Sequence, residues 1–168
     1  LLTPRLVVAG LAGDSGKTLV TLGLARSFTR RGLRVGPYKK GPDYIDAAWL
    51  GAAAGCAGRN LDTFLMDSQA IGDGLARNTP ADLLIVEGNR GLFDGLDSEG
   101  SHSTAELAKL MDASVVLVLD VTKMTRTAAA VVVGCKTLDP QVRLAGIVLN
   151  RVGTARHERV VREAIARA

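Results

Sequence analysis

The sequence predicts an α/β domain of three layers, a mostly parallel sheet flanked by helices. Three observations carry that prediction. Short apolar runs alternate with helical patterns along the chain, the order of β–α–β units. Aromatics are only 4% of a chain that is 47% hydrophobic, so the core must be aliphatic, which suits strands buried on both faces. A Gly-rich turn ending in Gly16-Lys17-Thr18 separates the first strand from the first helix. At 168 residues, positions 1–168 are expected to form a single domain able to bury a core without staples.

The first apolar run, residues 5–9, reads as a strand. A helix is predicted over 17–31, with Val20, Leu24 and Phe28 on one face and Gly32 as terminator. Residues 33–39 read as a second strand, ended by Gly41-Pro42. Short helices are predicted over 47–54 and 67–78. Leu83, Leu84, Ile85 and Val86 mark a buried strand over 82–87, and a Gly-rich loop follows over 88–102. Ser103 and Glu106 form a capping box that opens a helix to Met111. Residues 114–120 read as a strand, 125–137 as a helix and 144–149 as a strand. The final helix covers 155–166, with Glu158 and Arg162 spaced for an i,i+4 pair. Ligands of such sheets bind at the carboxyl ends of strands, so functional residues should follow strands.

Composition excludes several function classes. The net charge is +4 without a long basic run, which leaves an anionic ligand and a mildly basic surface equally open. Aromatics are too sparse for base stacking, so no nucleic-acid partner is expected. Cys56 and Cys135 lie in no metal-ligand or C-x-x-C spacing and read as neutral thiols of a reducing cytoplasm. The two histidines, His102 and His157, are too few for a His-rich metal site. No run reaches the about 20 apolar residues of a membrane span. Arg5, Asp14 and Lys17 interrupt the N-terminal stretch, so a signal peptide is not expected there. The chain lacks an initiating Met and reads as a trimmed form of a longer one.

Residues 10–18 read Gly-Leu-Ala-Gly-Asp-Ser-Gly-Lys-Thr. Gly10, Gly13 and Gly16 let backbone amides converge on phosphate oxygens, and the helix N-terminus adds its positive end. Lys17 is placed for the β/γ-phosphates and Thr18 for magnesium, the arrangement of a P-loop NTPase-type domain. The strict spacing requires Gly at the position held by Leu11, so this is a variant loop.

Acidic residues follow the other strands. Asp43 and Asp46 lie beside a Pro turn, which fits magnesium ligation, substrate positioning or a solvated turn. Glu87 ends the most apolar strand, where a carboxylate needs a cation or metal, and Asp94 follows it. Asp120 fits a salt bridge to Lys123 or Arg126. The Asn150 amide can serve an adenine edge or a turn cap.

Taken in order, the runs GLAGDSGKT, GPDYID, VEGNRGLFDG, STAELAK and GIVLNRVG resemble the ATP-binding domain of cobyrinic acid a,c-diamide synthases, which group with dethiobiotin synthetase-like amidoligases. The resemblance covers nearly the whole chain, and GPDYID combined with the GLFDG run is its specific part. It implies that ATP phosphorylates a carboxylate of a tetrapyrrole polycarboxylate and that ammonia converts the acyl phosphate to an amide. By motif, Gly13, Asp14, Ser15, Gly16, Lys17, Thr18, Asn150 and Arg151 would hold ATP, and Thr18, Asp43 and Glu87 would hold Mg2+. Lys17, Asp43, Asp46, Glu87 and Asp94 would serve catalysis, with Tyr44, Asp46, Arg90 and Ser103 toward the substrate. A carboxylate nucleophile needs no general base, so the lack of a Ser/His or Cys/His constellation is expected.

Two departures from the family pattern matter. The family's C-terminal glutaminase domain is absent from this chain, so nitrogen comes from such a domain elsewhere or from free ammonia; the resemblance also implies a homodimer. Asn89-Arg90 stands where the family often has an apolar pair, which opens sirohaem or nickel-sirohydrochlorin amidation as an alternative. A dethiobiotin synthetase-like ligase is a further alternative, against which GPDYID argues. So is a partition-type switch ATPase, whose signature lysine is replaced here by Ala12.

Overall fold

Strand and helix alternate without exception in the computed structural model, which describes residues 3–77 and 80–168. The order is β1 (Arg5–Gly10), α1 (Lys17–Arg30), β2 (Val35–Lys40), α2 (Tyr44–Ala54), β3 (Arg59–Leu61) and α3 (Ser68–Ala76). It continues with β4 (Leu83–Glu87), α4 (Thr104–Leu110), β5 (Ser114–Asp120), α5 (Thr127–Leu138), β6 (Leu144–Asn150) and α6 (Ala155–Ala166). The strands form one sheet in the order β3-β2-β4-β1-β5-β6, every pair parallel. The expectation of a mostly parallel sheet is met by a wholly parallel one.

Alternation along each strand sorts the core into two layers. Val8, Val35, Ile85 and Val118 pack with Ala25 of α1 and Ala54 of α2 on one face. Val7, Ala9, Tyr38, Leu84, Val86, Val115 and Leu117 pack with α3 and α4 on the other. Leu119 joins α5 and α6 through Val132 and Val161. Leu117 and Leu119 are fully buried, and truncating either to Ala costs roughly 2–5 kcal/mol.

Local chemistry explains where boundaries differ from the sequence reading. The helix expected from residue 47 begins at Tyr44, because the Asp43 carboxylate caps it by accepting from Ile45 N and Asp46 N. Asp67 likewise caps α3 through Ala70 N. Asn78, the expected end of that helix, lies outside the described residues. Ser103 caps α4 by accepting from Glu106 N, the first half of the predicted capping box; Ser103 N donates instead to the Gly100 carbonyl, and the Glu106 carboxylate pairs with Lys109. β2 starts at Val35 and continues through Lys40, one residue beyond its expected end. β3 is a strand the sequence reading lacked; its three residues pair with Tyr38, Lys39 and Lys40. Gly58, just before it, must be glycine, since a Cβ there would collide with the Ala47 carbonyl. The predicted Glu158–Arg162 pair forms at 3.3 Å.

Candidate functional site

The carboxyl ends of β1, β2, β4 and β6 meet at one edge of the sheet, and the predicted motifs lie there. Between β1 and α1 the loop takes left-handed conformations at Asp14 (φ 52) and Gly16 (φ 93). Such alternation folds successive amides into an anion-receiving concavity at the N-terminus of α1. The Lys17 ammonium, largely buried, curls back to donate to the Ala12 carbonyl at 2.7 Å. Burial pushes its pKa down, the nearby Lys39 adds to that, and Glu87, Asp14 and Asp46 partly oppose it.

At the centre is an ion network built by strand register. Lys39 and Glu87 are register partners on adjacent strands and share the α1 face, so their charged ends meet at 2.9 Å. Asp46, in the first turn of α2, reaches the same ammonium at 2.7 Å. The Thr18 hydroxyl donates to Glu87 Oε1 at 2.6 Å. Glu87 is 1% exposed and Lys39 4%, so water contributes little to either charge. Burial pulls the Lys39 pKa down, but its bonds to Asp46 and Glu87 outweigh that and raise it overall. Glu87 Oε2 is buried with no hydrogen-bond partner. Lys39 is the site residue that sequence reasoning missed; its signal was two lysines ending an otherwise apolar strand.

The last strand ties down the phosphate loop. The Asn150 amide nitrogen donates to the Ser15 carbonyl at 2.9 Å, and its oxygen accepts from Arg151 N. Arg151 (φ 57) donates to the Asp14 carbonyl at 3.1 Å and pairs with Asp120 at 2.7 Å. The Asp120 salt bridge is therefore to Arg151 and not to Lys123 or Arg126. Hydrogen bonds from Thr122, with the Arg151 charge, hold the Asp120 carboxyl below its usual range. A Cβ on Gly16 would collide with the Asn150 amide, which explains glycine there twice over.

The remaining predicted residues have definite places. Gly13 lies in the phosphate loop, where a Cβ would meet nothing. The Asp43 carboxylate is engaged as the α2 cap. Asp94 is exposed, accepts from Gly91 N at 3.0 Å and braces the 91–94 turn. Tyr44 is 77% exposed at the start of α2. Ser103 is buried with its hydroxyl on Glu106 N. Arg90 is exposed with φ 50. Cys135 is buried, while Cys56 is exposed with its Sγ turned in toward the Val35 carbonyl; partial loss of water around each sulfur raises both thiol pKa values. Among the described residues no cluster of three or more His, Cys, Asp or Glu could hold a metal. No helix among them is long and apolar enough to cross a membrane.

A phosphate loop after the first strand of a parallel sheet, with a buried acid on the neighbouring strand against the loop threonine, defines a P-loop NTPase fold and a nucleotide-binding domain. Residues 6–168 match the family described as the CobQ/CobB/MinD/ParA nucleotide binding domain, and the chain belongs to that family. It is 45% identical over 164 residues to a cobyrinate a,c-diamide synthase of Archaeoglobus fulgidus, covering 96% of this chain and 36% of that protein. It is 46% identical over 164 residues to a hydrogenobyrinate a,c-diamide synthase of Streptomyces coelicolor, covering 96% of this chain and 34% of that protein. The resemblance read from the motifs is thus borne out, and the chain spans about a third of the length of these relatives. Among solved structures, the signal recognition particle receptor FtsY of Elizabethkingia anophelis superposes with a TM-score of 0.60 at 20% identity, over 98% of this chain and 56% of that one. The hydrogenase maturation factor HypB of Archaeoglobus fulgidus gives 0.52 at 17%, over 94% and 87%. These two likenesses concern the fold alone.

Proposed function

We propose that this domain uses ATP to activate side-chain carboxylates of a tetrapyrrole for amidation, as in the synthesis of cobyrinic acid a,c-diamide. The observation that carries the reading is the Thr18–Glu87–Lys39–Asp46 network beside the phosphate loop, in a chain whose relatives at 45% and 46% identity are named for that amidation. A substrate carboxylate oxygen attacks the γ-phosphorus, the bond to the β-phosphate oxygen breaks, and ADP leaves. Ammonia then forms the C–N bond, and phosphate departs from the acyl carbon. Lys17 neutralises the phosphates once it exchanges Ala12 for them, and the loop amides align them. Lys39 holds Asp46 and Glu87 in place beside the reacting groups.

The residues fit magnesium. Glu87 offers a buried, unpartnered Oε2 and Thr18 an adjacent hydroxyl, few protein oxygens of the kind Mg2+ takes together with phosphates. Asp43 caps α2 through Oδ1 alone, which leaves Oδ2 to join them. When bound, the ion supplies charge neutralisation to the phosphate oxygens.

In this reading a glutaminase domain or free ammonia supplies nitrogen, 1–168 acts as one unit in the cytoplasm, and two copies associate. Arg90 favours a second reading, sirohaem or nickel-sirohydrochlorin as substrate, since a guanidinium binds a carboxylate bidentately and suits a carboxylate-rich ligand. Mass spectrometry decides after incubation with ATP, magnesium, ammonium and each of cobyrinic acid, sirohaem and nickel-sirohydrochlorin. An amide on one of them is expected. Equal ATP hydrolysis with and without every substrate, and no amide, points instead to a switch ATPase.

A further inference from the structure

Lys40 stands apart from the network on Lys39. It follows Lys39 on the same strand, so its side chain projects to the opposite face, the one Tyr38 occupies. Its register partner is Leu61, the residue before Asp62, and the partner of Lys39 is Glu87, three residues before Arg90. The strand end therefore lies between Asp62 and the 88–90 loop. Lys40 is 8% exposed, yet among the described residues its ammonium has no ion pair and no hydrogen bond. Burial drives its pKa down; Asp62 opposes this weakly, while Arg90 and Lys39 push the same way. A largely buried cation without a partner is stabilised when an anion is brought beside it.

Arg90 supplies the other half. It holds φ 50, a conformation a non-glycine residue adopts at a cost of about 1 kcal/mol or more. The preceding residue is fixed, since the Thr104 hydroxyl donates to the Asn89 carbonyl and accepts from Asn89 N, both at 3.1 Å. The Arg90 guanidinium has no ion pair or hydrogen bond among the described residues. Asp62 is tied to its own turn through Phe64 N, and Phe64 and Leu65 beyond it expose apolar surface.

We propose that Lys40 and Arg90 together bind a second carboxylate of the substrate, one that is not being activated, on the opposite face of the sheet edge from Lys39. This rests on the polycarboxylate reading above and names how that substrate is oriented. An apolar ring edge against Phe64 and Leu65, with acid side chains on its rim, has the matching chemistry.

The test is equilibrium dialysis of cobyrinic acid against the full chain, followed by the ligand's visible absorbance, with a fluorescent ATP analogue titrated in parallel. Lys40→Met and Arg90→Met should each weaken cobyrinic acid about tenfold, roughly 1.4 kcal/mol. Lys40→Arg should restore binding to within about threefold of wild type, and the ATP analogue should bind all variants alike. The heptamethyl ester of cobyrinic acid should bind wild type and Lys40→Met equally. Unchanged cobyrinic acid affinity in both Met variants overturns the proposal, and so does a parallel loss of the ATP analogue, which would reveal a structural role. Wild type that binds the ATP analogue but not cobyrinic acid overturns the cobyrinate reading itself.

Discussion

The Lys39 ammonium lies 2.9 Å from Glu87 Oε1, and the two residues are register partners on adjacent parallel strands. One shift of register would send one of them to the opposite face, so the pair also records the alignment of β2 on β4. Replacing Lys39 by Ala leaves Glu87 and Asp46 as neighbouring acids without their cation. A loss of about 3 kcal/mol is expected, since breaking a buried ion pair strands its partner. Urea denaturation checks this, and Glu87→Gln in the same chain should recover part of the loss.

Lys17→Ala should abolish ATP turnover, by at least about 100-fold, with the fold intact. Among the described residues the ammonium bonds only its own loop, at Ala12 and Ser15, so removing it cuts no link there between sheet and helices. Phosphate release and circular dichroism read the two halves of the prediction. A folded variant that still turns over ATP removes Lys17 from the phosphate site.

Glu87→Gln keeps the side-chain shape and accepts the Thr18 hydroxyl but loses the charge that faces a cation. Magnesium is expected to tighten a fluorescent ATP analogue on the wild-type protein, and that gain should shrink about tenfold in the variant. Titrations with magnesium and with a chelator make the comparison. An identical magnesium response in both proteins would take Glu87 out of the metal site.

Asn150→Ala frees the Ser15 carbonyl and loosens the phosphate loop. ATP affinity should fall by about tenfold, the scale of one hydrogen bond to a preorganised loop. Gly16→Ala should be worse, because the added methyl meets Asn150 and the residue must hold φ 93. Combining the two should recover only the steric share. Calorimetric titration of ATP measures each step.

Acid should reach Asp82 late. Hydrogen bonds from the Arg34 side chain and backbone lower its carboxyl pKa to about 2, against an ordinary 3.8. Its contribution to stability is therefore complete above 3.8 and is lost as pH falls through about 2. Asp82→Asn should lower the denaturant midpoint near neutral pH, and the gap to wild type should close across that window.

Long apolar runs made β1, β4, β5 and β6 legible, since only buried strands spend so many Val, Leu and Ile in short stretches. β3 was not, because Arg59-Asn60-Leu61 is too short and polar for any pattern, and its pairing depends on the turn at Gly58. The phosphate loop was readable as a linear motif. Lys39 was not, because its partners Asp46 and Glu87 come from two other elements and meet it only through register. The carboxylate of Asp43 was visible, but its cap bonds to α2 depend on where that helix starts.

The tie from Asn150 and Arg151 to Ser15 and Asp14 spans 135 and 137 residues of chain. The loop that precedes α1 is thus clasped by the end of β6, the last strand of the described sheet. During synthesis, β1 and α1 emerge long before that clasp exists, and contacts so distant in sequence form late. Affinity for nucleotide would then mark the arrival of β6, and a nascent chain halted before residue 150 should hold ATP poorly even with its phosphate loop already made.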